Sequence, residues 1–182
     1  MNSLKRVRGN AGFSLIELLV VLAVGMILAL LSYPELAKYY TRMQLEGTTQ
    51  QFALVMQKAR YQAIKTSQQT TVCADTANRR ILPSGTTLLP QVELPKAVSF
   101  GAPGSQPPIT VTANCFAFNS DGSASEAGSF RLVDNHGNYL EVRVDPQATA
   151  RVQVRKWNET DNQWYVRGEG GKAWEWKTST IF

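Results

Sequence analysis

From Leu18 to Leu31 every residue is apolar or glycine, and no other segment limits the fold so strongly. With Phe13–Ile16 included, the run is long enough to cross about 30 Å of hydrocarbon as a helix. A conventional secretory signal places small residues for cleavage just after its apolar region. Here Ser32-Tyr33-Pro34-Glu35 follows, a poor match, so the run is expected to be retained. Lys5, Arg6 and Arg8 precede it, and basic residues on that flank keep the N-terminus cytoplasmic while the rest is exported. Glu17 breaks the pattern. A carboxylate within a spanning helix costs on the order of 2.5–3.5 kcal/mol, less near the interface. The first basic residue downstream is Lys38, so a neutralising group must come from elsewhere. A new α-amino group at a nearby cut would serve.

The stretch Gly12-Phe13-Ser14-Leu15-Ile16-Glu17-Leu18-Leu19-Val20-Val21 resembles the class III signal of type IV prepilins and type II secretion pseudopilins. The shared pattern is a basic leader, Gly, Phe, three residues, Glu, then an apolar helix. The resemblance implies that residues 1–12 are a leader, that prepilin peptidase cuts between Gly12 and Phe13, and that the new amine of Phe13 is methylated. It further implies that Glu17 pairs with a subunit's N-terminal amine during filament assembly. The implied partners are other minor pilins, the major pilin and the inner-membrane assembly platform. The protein would be single-pass in the inner membrane with a periplasmic head, and later at a filament tip. The competing reading is an ordinary membrane anchor with a stray glutamate. Pro34 would kink the helix between a membrane half, 13–33, and an exposed half, 34–66; alternatively it opens a separate helix.

From Glu35 to Thr66 helix formers dominate, and Gly47 is the only glycine. Leu45, Thr48, Phe52, Val55, Met56, Ala59 and Ala63 recur at three- and four-residue spacing, an apolar stripe that needs a cover. A helix from Phe13 to Thr66 would be about 80 Å long. The run Ala59-Arg60-Tyr61-Gln62-Ala63 leading into Thr71-Val72-Cys73 resembles the helix end and first strand of the GspH/FimT group of minor pilins and pseudopilins. That resemblance implies an α+β, type IV pilin-like fold: a long N-terminal helix packed on an antiparallel β-sheet head, here 67–156.

Beyond residue 70 the pattern is of short strands. Candidates are Thr70–Ala74, Arg80–Leu82, Ala97–Phe100, Ile109–Phe118, Ser129–Val133, Tyr139–Asp145 and Arg151–Trp157. Asp134-Asn135-His136-Gly137-Asn138 has the chemistry of a hairpin turn. Cys73 and Cys115 are the only cysteines. Outside the cytoplasm they are expected to pair; otherwise they are two buried thiols.

The body is barely charged. Removing the three leader cations leaves 16 basic against 14 acidic side chains, which gives no ground for nucleic-acid binding from net charge. Members of the resembled family often close with a Gly-Arg-x-Arg-like strand, and in some FimT-type proteins such arginines are associated with DNA binding. This sequence departs from that pattern, reading Ala150-Arg151-Val152-Gln153-Val154-Arg155-Lys156. In a strand Arg151, Gln153, Arg155 and Trp157 share one face, and with Lys156 they would form a DNA-binding row. The competing reading is the solvated face of an edge strand. Residues 157–182 form an extension carrying all four tryptophans, either an interaction surface or a cap on the sheet; Gln163–Arg167 and Ala173–Lys177 are read as a further hairpin.

Nothing points to catalysis. His136 is the only histidine and lies in a turn, the two cysteines lack histidine partners for zinc, and no loop has alternating acidic ligands for calcium. The chain is expected to be no enzyme, to need no cofactor, and to be a substrate of prepilin peptidase. The leading expectation is a minor pilin priming a type IV pilus from its tip. The alternatives are a type II secretion pseudopilin and a DNA-binding minor pilin.

Overall fold

The computed structural model describes residues 14–84 and 89–166. Helix α1, Leu15–Thr66, is continuous through Pro34, so the proline does not open a separate helix. It removes one backbone donor, and two residues earlier Ser32 Oγ donates to Leu28 O at 2.9 Å. The chain divides into two compact units between Ala37 and Lys38. In the first unit, every described side chain from Ser14 to Ala37 is exposed.

The second unit contains the rest of α1 and, among the described residues, nine strands in two antiparallel sheets. They are β1 (Thr70–Asp75), β2 (Arg80–Ser84), β3 (Val92–Glu93), β4 (Val98–Phe100), β5 (Cys115–Phe118), β6 (Gly128–Asp134), β7 (Tyr139–Val144), β8 (Val152–Asn158) and β9 (Gln163–Val166). The orders are β3-β2-β1-β5 and β4-β6-β7-β8-β9. The α+β architecture matches the expectation, but the head has two sheets rather than one. The second sheet also runs past residue 156, because β8 ends at Asn158 and β9 pairs with it, Trp157 opposite Trp164.

All seven residues of the anticipated stripe on α1 are buried, together with Thr49 and Ala53. Phe52 meets Phe130 of β6 at 5.0 Å between ring centroids, and Phe130 meets Phe116 of β5 edge-on at 5.1 Å. One aromatic cluster therefore ties the helix to both sheets, in the tilted and edge geometries that ring quadrupoles favour. Thr49, buried in the stripe, satisfies its hydroxyl on Leu45 O at 2.7 Å.

The anticipated strand Ile109–Phe118 is shorter than expected. Ile109 bridges Phe130 in the second sheet, while Cys115–Phe118 belongs to the first. Between them a 3₁₀ turn at Thr112–Asn114, with Ala113 and Asn114 at φ 52° and 57°, moves the chain from one sheet to the other. The turn at Asp134–Asn138 forms as read. Asp134 Oδ1 accepts from the amides of His136 and Asn138 at 2.9 and 2.8 Å, and Gly137 supplies the positive φ of 77°.

Candidate functional site

The first candidate site is the start of α1. Gly12 and Phe13 lie outside the described residues. The amides of Glu17 and Leu18 both donate to Ser14 O, at 3.0 and 3.2 Å, so Ser14 opens the helix and Glu17 stands exposed in its first turn. A carboxylate there lies at the positive end of the helix dipole. On either side of it Leu15, Ile16, Leu18, Leu19, Val20 and Val21 are all more than half exposed, and the helix is long and apolar enough to cross a membrane. A helix apolar all round has to be covered by lipid or by other helices.

Cys73 and Cys115 are bonded to each other. They are directly opposed in the β1–β5 ladder, so the pairing is set by sheet register, and the free-thiol alternative falls away. Arg60, from the Ala-Arg-x-x-Ala run, donates through Nε to Gly122 O at 2.8 Å, while Ala59 and Ala63 are fully buried on either side of it. The motif thus packs by its alanines and clips the helix end to the Asp121–Ser123 turn by its arginine. Gly122 has φ 83°, and a Cβ there would lie 2.8 Å from Ile64 Cδ1. In the same turn the hydroxyl and amide of Ser123 hold the Asp121 carboxyl below its ordinary range. Asp75, at the β1–β2 turn, is lowered to about 2, first by hydrogen bonds from the Asn78 side chain and amide and then by Arg80.

The second candidate site is the outward face of the second sheet. Register sets Arg131 opposite Glu141, and Glu141 opposite Arg155. Arg131 Nε donates to Glu141 Oε1 at 3.1 Å, with side-chain exposures of 9% and 0%. Arg131 Nη1 also donates to Pro107 O at 2.8 Å, and its guanidinium lies 5.4 Å over the Trp164 ring. Trp164 in turn packs edge-on to Trp157 at 5.3 Å. This chain of contacts leads to a cleft of about 480 Å³ lined in part by Tyr139, Trp157 and Gln106.

The anticipated DNA row is only partly assembled. Arg151 is exposed but precedes β8. Arg155 is half-buried, with Nη2 on Gln153 Oε1 at 3.0 Å, and Trp157 is engaged with Trp164. Lys156 does not join them, because strand alternation turns it to the core side, where it is 6% exposed. A buried ammonium offers nothing to a phosphate backbone. The sequence reading missed Arg131 and Glu141, and it named Trp164 only among the tryptophans of the extension, without its contact to Arg131. The signal for the first two was in reach: a turn at Asp134–Asn138 sets Val133 opposite Tyr139, and counting outward sets Arg131 opposite Glu141. Trp174 and Trp176, and the Ala173–Lys177 half of the expected hairpin, lie outside the described residues.

A family model described as Type II transport protein GspH matches residues 48–167. The chain belongs to the GspH family. A second model, the Prokaryotic N-terminal methylation motif, matches residues 7–33, a span that includes Gly12, Phe13 and Glu17. Among solved structures the chain is similar to the minor pseudopilin EpsH from the Type 2 Secretion System of Vibrio cholerae. The identity is 13% and the TM-score 0.45, over 61% of this chain and 95% of that one. No curated protein matches the chain. The GspH match starts at Thr48 on α1, so it takes in the buried helix stripe from Thr48 to Ala63, without Leu45, along with both sheets.

Proposed function

We propose that this chain is a minor subunit of a type IV filament that joins a starting or capping complex through α1. The observation that carries the reading is the exposed apolar length of α1 from Leu15 to Leu30, with Glu17 as the one charge on it. Before assembly, lipid covers this helix, with the N-terminus cytoplasmic and the head periplasmic. In the filament, the helices of other minor pilins and the major pilin cover it. Prepilin peptidase exposes the amine of Phe13, and Glu17 pairs with such an amine when the assembly platform adds the subunit. The chain does no chemistry of its own. The filament is read first as a type IV pilus primed at its tip. A second reading, a type II secretion pseudopilus, is supported by the GspH match over 48–167.

Glu17→Val tests the reading directly. Leader cleavage should be unchanged, while recovery in sheared filaments falls about tenfold or more, since an unpaired partner of a buried ion pair costs several kcal/mol. Recovery at the parental level sinks the proposal. Deleting the gene and counting surface pili, with complementation, separates the two filaments: restored pili support priming, and normal pili with lost protein export support secretion.

A further inference from the structure

We propose that the cleft at the Trp157 end of the second sheet is a binding site for a neutral saccharide. Tyr139 opens β7, Trp157 lies near the end of β8, and Glu159 and Asn162 come from the β8–β9 turn; Pro103–Gln106 forms the facing wall. The space, about 480 Å³, is in the range that holds a small organic molecule.

The site is prebuilt. Trp157 is braced by Trp164, Trp164 by the Arg131 guanidinium, and Arg131 by buried Glu141. Asn162 and Gly104 hold left-handed conformations at φ 51° and 60°. Rings fixed in advance lose little freedom when a ligand arrives.

The lining selects the ligand class. Among the described residues no lysine or arginine lines the cleft, so these walls offer a polyanion no counter-charge. A bare organic cation would suit the aromatic faces and Glu159. Gln106, however, accepts the Trp164 Nε1–H on its Oε1 at 3.4 Å, which among the described residues leaves its NH₂ group to offer, and a bare cation has no acceptor for it. A pyranose meets every condition. Its C–H faces lie on Trp157 and Tyr139, and its hydroxyls both accept from Gln106 and donate to Asn162 and Glu159. The site is separate from α1, so it stands or falls independently of the assembly role.

The test is calorimetric titration of the full chain in lauryldimethylamine oxide, a detergent without sugar. The probes are chitotetraose, cellotetraose, maltotetraose and tetra-arginine. Saturable binding of at least one saccharide is expected, weakened about tenfold by Trp157→Ala. Asn162→Gly keeps the left-handed backbone while removing the amide, and should weaken binding about threefold to tenfold. The proposal is overturned if no saccharide binds by about 10 mM, if Asn162→Gly binds like the parent, or if only tetra-arginine binds.

Discussion

Replacing Cys73 and Cys115 by alanine reopens, in the unfolded chain, a loop closed across 42 residues. In the chain-entropy treatment the closure removes 2.1 + 1.5R ln n, about 13 cal/mol/K here, or about 4 kcal/mol at 25 °C. The folded side changes little. Both cysteines are half-buried, and the β1–β5 ladder around them keeps Thr70 on Phe118, Thr71 on Ala117 and Val72 on Phe116. Against the roughly 5–15 kcal/mol that stabilises an ordinary domain, the loss is large. Urea unfolding of the full chain in detergent, followed by far-ultraviolet circular dichroism, should show the midpoint lowered by about 2 M. The parent with reductant should unfold with the double variant. A difference under about 1 kcal/mol would refute the loop argument, and would mean that the unfolded chain is already confined without the bridge.

Three further outcomes follow from other contacts. Glu141→Leu strands the Arg131 guanidinium in a buried setting and should cost about 3–5 kcal/mol, while Arg131→Met/Glu141→Leu together should recover most of it; equal losses in the single and double variants would contradict the pairing. Gly122→Ala forces a side chain into φ 83° and against Ile64, which should cost about 1–3 kcal/mol in the same unfolding assay. Asp75 has a folded pKa of about 2 against an ordinary 3.8, so its contribution is present above 3.8 and disappears as pH falls toward 2. The stability gap between the parent and Asp75→Asn should be constant above about pH 5 and close on acidification; a gap that ignores pH would exclude the carboxylate as its source.

The elements legible in the sequence are those whose signals are local. The stripe from Leu45 to Ala63 has the helical period and no competing one, and Asp134–Asn138 carries its own turn chemistry. The class III signal likewise sits within ten contiguous residues. What escaped was set at long range. Ile109 and Val111 continue the alternation of a strand, and nothing local reveals that Ala113 and Asn114 take positive φ to move the chain between sheets. The split into two sheets follows from β4 pairing with β6, Val98 opposite Asp134, across a long connection. Lys156 is a different failure. The alternation that groups Arg151, Gln153, Arg155 and Trp157 assigns it to the other face, and a positive charge alone does not decide which side of a sheet a side chain takes.

The buried stripe of α1 also has a mechanical meaning. In the filament role proposed above, load reaching the second unit enters at Lys38 and is carried along the axis of the part of α1 within that unit. Leu45, Phe52, Met56, Ala59 and Ala63 grip the head along that same axis, so tension loads all of them at once, in shear, rather than peeling them one after another. The far end is held as well, by Arg60 on Gly122 O and by the short passage from Thr66 into β1 at Thr70. Resistance to forced unfolding is governed by the unfolding rate, and a grip that must fail all together keeps that rate low. A head built around the helix that carries it resists being pulled off that helix.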